Sequence, residues 1–508
     1  MESLNGMSLR QKIGQMLVTG FPGTETDLAF EALVREYKVG NIILFRRNQR
    51  DMAQLETLCQ SLAAFMEAET GLPPFITSDE EGGVVSRLPA DMAKMPSAMA
   101  QAALGDAARV EEAARLTARE LLGVGINFNL APVLDVNSNP ENPVIGVRSY
   151  GATAEAAAQY ALAAFEGYRQ EGILTTGKHF PGHGDTNTDS HLALPVVEKS
   201  LEELEGLELV PFRAAIKAGI PAITIAHVLF PALEARRVPA TMSHTIITGL
   251  LRQAMGFEGL VISDCMEMDA IKRFYGVDKG TVEAVKAGMD LVFISHTPTE
   301  VEGAVHALEQ AVDSGELPMA RIDDAVGRIM EYKRRYIHPG QKVSSGEMAG
   351  LRSFATKFTS DAIAASCPVG QGSFALGGAP LFVSPLRSHV TLVSNVVNGD
   401  YSFAGAMQQR FGGEAFVMGM EPDEEEQAHI LKLAAGCSSL VLGTVNGNAY
   451  PAQLRLAGAL AKTGIPLACV ALRNPFEIEL LPEGVFRLAL YEYAPETVEL
   501  AMDYFKKD

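Results

Sequence analysis

The chain has no tryptophan among its 508 residues, so any ring-stacking surface must be built from its 23 Phe, 12 Tyr or 20 Met. It has few cysteines. The five (Cys59, Cys265, Cys367, Cys437, Cys469) are scattered and form no CxxC pair, which argues against a disulfide frame or a cysteine zinc site and reads as reduced core thiols. Basic charge is also scarce: 42 Lys and Arg face 62 Asp and Glu, a formal net charge of −20. With no basic stripe, nucleic acid and anionic membrane surfaces are poor partners, and the dispersed acidity reads as solubility. No charge-poor apolar run is long enough to span a bilayer. The first ten residues lack the basic patch and apolar stretch of a secretory signal, so the expected location is cytoplasmic. GxGxxG and GxxxxGK[ST] loops, internal repeats and low-complexity tracts are absent as well.

What the chain does have is a regular alternation. Short apolar runs at 15–19, 39–45, 74–78, 126–133, 174–178, 222–226, 260–263 and 291–294 alternate with helical patterns. Examples are 106–122, closed by Gly123, and 207–218, closed by Gly219. Eight strands with interposed helices over about 300 residues fit a (β/α)8 TIM-type barrel better than an open sheet. The last barrel helix is expected at 320–336, stopped by Pro339-Gly340. Further apolar runs at 380–384, 415–418, 439–443, 466–471 and 486–490 predict a C-terminal three-layer α/β sandwich domain with a mostly parallel sheet. The expected organisation is a barrel over 1–340, a linker over 341–374 and the α/β domain over 375–508.

Ionisable residues fall where these strands end. Asp79 follows the third, Asp135 the fourth, Lys178 and His179 the fifth, His227 the sixth and Asp264 the seventh. A barrel opens all such ends on one face, and packing alone does not explain five in succession. The densest cluster is KHFPGHGDTNTDSH at 178–191, with three histidines, two aspartates and a lysine. Proton transfer or metal chemistry asks for such a set; a polar, hydrogen-bonded loop is the bland alternative. Asp189 and His191, two apart, could pair so that the carboxylate fixes the imidazole tautomer and leaves the other ring nitrogen to shuttle a proton. A metal held by some of His179, His183, Asp185, Asp189 and His191 is the rival, although the spacing matches no helical HExxH type. Asp264, ending an apolar strand, suits a rigidly held nucleophile, and a helix cap equally well on spacing alone.

Several segments together resemble the family 3 glycoside hydrolases of the β-N-acetylglucosaminidase branch. They are the 178–191 loop, SDEEGGVVSR at 78–87, NFNLAPVLDV at 127–136, NPVIGVRSY at 142–150, AHV at 226–228 and SDCMEM at 263–268. The resemblance spans about residues 8–338; beyond that it rests on ALRNP at 471–475 and the α/β pattern. It implies Asp264 as nucleophile, His191 as general acid/base and Asp189 as its orienting partner. Asp79, Arg87, Arg148, Lys178 and His179 would bind the sugar, and no metal or cofactor is implied. The expected activity is retaining, exo-acting release of terminal β-linked N-acetylglucosamine from oligosaccharides or muropeptides during peptidoglycan recycling. The alternatives are a phosphorylase using the same dyad, a metal-dependent hydrolase, or a non-catalytic sugar-binding barrel. Two departures from the family pattern stand out: Val84 replaces a common Arg, and Cys265 and Met266 follow Asp264. Asp135, His183 and His227 are candidates for supporting or structural hydrogen bonds, and Met266 and Met268 for packing. Oligomeric state is not legible.

Overall fold

The computed structural model describes residues 4–186, 194–338, 343–367, 372–387 and 401–507. Eight parallel strands close into a barrel in sequence order: β1 (Leu17–Thr19), β2 (Asn41–Leu44), β3 (Phe75–Ser78), β4 (Phe128–Asn129), β5 (Leu174–Phe180), β6 (Ala222–Ile225), β7 (Leu260–Cys265) and β8 (Leu291–Phe293). Helices cover the outside while side chains fill the inside, so the strands are buried on both faces and read as continuous apolar runs. β1 pairs with both β2 and β8, which closes the ring. The expected barrel is therefore present, and so is the α/β domain after it.

Two local expectations need correction. The helix expected to stop at Gly123 runs through it, over Ala107–Val124. Gly125, at φ 95°, is the residue that turns left-handed, and its amide donates back to the Leu121 and Leu122 carbonyls. The fourth strand is expected over 126–133 but pairs regularly only at Phe128–Asn129. Pro132 has no N–H to offer, and the chain rejoins the sheet as one bridge between Val133 and Lys178.

The second unit holds β9 (Phe374–Leu376), β10 (Pro380–Pro385), β11 (Glu414–Met418), β12 (Ser439–Thr444), β13 (Leu467–Ala471), β14 (Phe486–Ala489) and β15 (Phe505–Lys507). Five of them form an all-parallel sheet in the order β11-β10-β12-β13-β14, with an apolar core on each face; β15 pairs with β9 alone. Helix Ser345–Ser366 leads into this unit. It stays pinned to the barrel by Arg109–Asp361 at 2.8 Å and by Arg109 stacked 4.4 Å over Phe358. A small mixed core joins the two units, with Val84, Val85 and Val147 of the barrel meeting Ala471, Ala489 and Tyr491. At Gly146, φ is 47° and a Cβ would come 2.8 Å from Asn474 Oδ1, so the two units approach there at backbone range.

Of the five cysteines, only Cys59 and Cys469 are buried core thiols; Cys265, Cys367 and Cys437 are partly exposed, and all five are unbridged. No described helix is long and apolar enough to cross a membrane.

Candidate active site

The C-terminal ends of the barrel strands surround a cavity of about 480 Å³. Every described residue lining it comes from the barrel. Of the expected site residues, Asp79, Arg87, Arg148, Lys178, His179 and Asp264 lie on its wall, together with His183. Asp189 and His191 lie outside the described residues.

The loop after β3 is folded by its own buried acid. The Glu80 carboxylate accepts from Ser86 Oγ at 2.8 Å and the Arg87 amide at 2.9 Å, while its backbone is bonded in both directions to the Asn129 side chain of β4. Burial pushes the Glu80 carboxyl up to about 7. That turn sends Asp79 to the cavity and Glu81 beneath it. Lys178 Nζ, on β5, reaches Asp79 Oδ1 at 2.9 Å and Glu81 Oε1 at 2.6 Å. Arg148 grips both Glu81 oxygens at 2.8 Å. Burial alone would raise the Glu81 pKa, but the Arg148 and Lys178 cations hold it well below the ordinary carboxylate range. Burial works against the Lys178 charge, and Asp79 and Glu81 more than offset it, so its pKa is raised. Glu81 is thus the centre of the charge network, although sequence reasoning gave it no role. Its place in the 78–87 loop was the available signal.

Asp135 organises the two histidines. Its Oδ2 accepts from His179 Nδ1 at 2.6 Å and from the His179 amide at 3.1 Å, and its Oδ1 accepts from the His183 amide at 2.7 Å. His179 Nε2 is left facing Arg148 Nη2 at 3.4 Å. Asn142 ties the Arg148 loop to the loop after β5: its Oδ1 accepts from the Val144 and Ile145 amides, and its Nδ2 donates to the His183 carbonyl. Asp185 turns to Lys199 at 2.9 Å. His227 lies behind the cavity wall between Thr241 and the Cys265 carbonyl. Met266 is core, whereas Met268, expected to pack, also lines the cavity.

Asp264 is the penultimate residue of β7, partly exposed, with Oδ1 accepting from the Cys265 amide at 2.8 Å. Around it stand residues that sequence reasoning missed: Phe45, Arg46 and Arg47 after β2, and Ser295 and His296 after β8. The rule applied to the third through seventh strand ends would have found them at the second and eighth. Phe45 and His296 pack ring to ring at 5.0 Å, and Arg47 lies 4.5 Å over Phe45.

His183 gives a pH prediction. Burial first, and then the neighbouring His179, lower its pKa to about 4. An unfolded histidine titrates near 6.5, so between those values the unfolded chain binds a proton that the folded chain refuses. The His183 contribution to stability is expected to fall as pH drops from about 6.5 to about 4, by up to about 3 kcal/mol. The raised Glu80 carboxyl acts in the opposite sense over the same range, so the difference between wild type and variant carries the test. The depressed Asp135 acts only below that window. His183→Gln should remove this contribution from the profile, read from denaturant midpoints at about pH 7 and about pH 4.5. Identical slopes in both proteins would contradict the assignment.

The sequence pattern of the glycosyl hydrolase family 3 N-terminal domain matches residues 8–332. Beta-hexosaminidase A of Pseudoalteromonas piscicida is 33% identical over 326 residues, 60% of this chain, and the chain spans 54% of that relative's length. Beta-hexosaminidase LpqI of Mycobacterium tuberculosis is 34% identical over 334 residues, covering 64% of this chain and 83% of that one. Among solved structures, a family 3 β-N-acetylglucosaminidase from Paenibacillus sp. str. FPU-7 superposes with a TM-score of 0.86. It is 39% identical, over 98% of this chain and 96% of the other.

Proposed function

Since the chain belongs to glycosyl hydrolase family 3, we propose that it is an exo-acting β-N-acetylhexosaminidase. It would release terminal β-linked N-acetylglucosamine through a glycosyl-Asp264 intermediate. The observation that carries the reading is the cavity itself. Asp264 enters it from β7, and an Asp79–Lys178–Glu81–Arg148 network meets it from β5 and the loops after β3 and β4. Hydrogen-bonding groups with fixed positions suit a polyhydroxylated ring, and a carboxylate at a strand end suits attack on its anomeric carbon. In the first half-reaction Asp264 displaces the leaving oxygen while His191 protonates it. In the second, the now neutral His191 takes a proton from water as it attacks, and configuration is retained. Asp189 would orient His191, and the described residues of the C-terminal unit line no part of the cavity. The finer substrate, cell-wall muropeptide fragments met in the cytoplasm, rests on the family resemblance.

Hydrolysis of a nitrophenyl N-acetyl-β-glucosaminide tests the reading and separates it from a sugar-binding barrel, which would give no turnover. The same assay in phosphate, analysed for sugar 1-phosphate, separates hydrolase from phosphorylase. Activity is expected to survive EDTA; abolition by EDTA and recovery with zinc would favour a catalytic metal. Asp189→Asn is expected to lower kcat by about a hundredfold or more, most for substrates with poor leaving groups, because the imidazole loses its orienting carboxylate. Equal loss for good and poor leaving groups would remove Asp189 from the proton path.

A further inference from the structure

One cluster on the cavity wall has no part in this chemistry. Cys265 at the end of β7, Glu267 two residues on and His296 after β8 bring a thiol, a carboxylate oxygen and a ring nitrogen within 4.8 Å of one another. All three line the cavity that Asp264 enters. Two are already linked, because the His296 amide donates to Glu267 Oε2 at 2.6 Å, and Cys265 is fixed at the end of a barrel strand. We propose that Cys265, Glu267 and His296 bind a thiophilic divalent cation of the zinc type beside the nucleophile, and that the bound ion inhibits turnover.

Sulfur, imidazole nitrogen and carboxylate oxygen are together the donor set that zinc and cobalt accept, whereas magnesium and calcium prefer oxygen alone. Three protein ligands leave a position open to water, the pattern of an accessible rather than a structural site. Burial holds the thiol pKa up at about 11, so Cys265 carries its proton at neutral pH. Binding forms the sulfur–metal bond and releases that proton to solvent, with no change in oxidation state. Arg47 opposes it: its Nη2 lies 3.1 Å from His296 Nδ1, and its positive charge repels an incoming cation. The site is therefore weak while Arg47 holds this position. A cation seated in the same cavity attracts the Asp264 carboxylate and competes for it with the anomeric carbon, which is why inhibition rather than activation follows. Inhibition rests on the glycosidase reading; binding does not.

Cobalt titration of the full chain reads binding without any substrate. The expected result is a near-ultraviolet thiolate-to-cobalt charge-transfer band, competed away by zinc and absent in Cys265→Ser. His296→Gln keeps the thiol and weakens cobalt binding by about tenfold or more, and Arg47→Ala tightens it. In the glycosidase assay, zinc lowers the rate, EDTA restores it, and the ratio of rates with and without zinc moves to one in Cys265→Ser. A band that survives in Cys265→Ser, which would come from another of the five cysteines, overturns the proposal. So does the absence of a band in both the wild type and Arg47→Ala. Cobalt binding as expected, in a protein with no glycosidase activity, would sink the functional reading and leave the metal site standing.

Discussion

Asp264→Ala is expected to remove turnover, lowering kcat by about four to six orders of magnitude, because the covalent half-reaction loses its nucleophile and only binding and proton transfer remain. The substitution trims a partly exposed side chain at the end of β7, so the barrel should unfold near its usual denaturant midpoint. The residue can be identified independently of any variant. A fluorinated N-acetylglucosaminide with an activated leaving group slows both steps but is turned over to a trapped glycosyl-enzyme, and peptide mass analysis should find the sugar on Asp264. Glu267 and Asp269 line the same cavity and are the carboxylates that could be mistaken for it. A label on either would overturn the mechanism.

Glu81→Gln is expected to cost both stability and activity. Glu81 is buried between two buried cations, Arg148 and Lys178. Neutralising it leaves Lys178 with Asp79, but Arg148, among the described residues, with the Val144 carbonyl at 3.3 Å and the His179 ring. Removing one partner of a buried ion pair costs about 3–5 kcal/mol, far more than the pair contributes relative to apolar residues of the same shape. Glu81 acts through Arg148 and Lys178, so it is a positioning residue, and two readouts separate that role from mere folding. In Glu81→Gln, kcat/KM should fall by about a hundredfold while the Asp264 label still forms. In Glu81→Leu combined with Arg148→Met, stability should recover substantially without recovery of kcat/KM. Recovery of both would mean that the network holds the fold and nothing else.

The strands of the barrel were legible because burial on both faces writes them as unbroken apolar runs, and the ionisable residues at their ends stood out against that background. Glu81 was harder to read. Next to Glu80 in a loop, nothing in composition tells which of two adjacent glutamates turns toward a cation and which folds the turn. That distinction depends on Asn129, 49 residues away in sequence, bonding the Glu80 backbone. Val84 looked like a departure from the family loop. The structure gives it a partner: it packs with Ala471, Ala489 and Tyr491 of the second unit, where an arginine would have to be desolvated. Gly123 and Gly125 both look like helix stops, and only the hydrogen bonds of the last turn choose between them. Cys265 read as one more core thiol because the sequence does not show that β8 delivers His296 beside it.

The pairing of charges around Glu81 has a consequence for how a sugar would be received. Arg148 and Lys178 are cationic, yet each already faces a carboxylate at hydrogen-bond distance inside the protein. An uncharged ring entering there exchanges water for fixed donors and acceptors and brings no ion to be neutralised. Dissolved salt has little purchase on pairs shielded from it, and no long-range field needs to guide a neutral guest. Ionic strength should matter chiefly for what hangs outside the cavity. An anionic aglycone approaching a chain of net charge −20 meets repulsion that dissolved ions relieve. The same binding event thus divides into a salt-blind half at the sugar and a salt-sensitive half at the portion the enzyme discards.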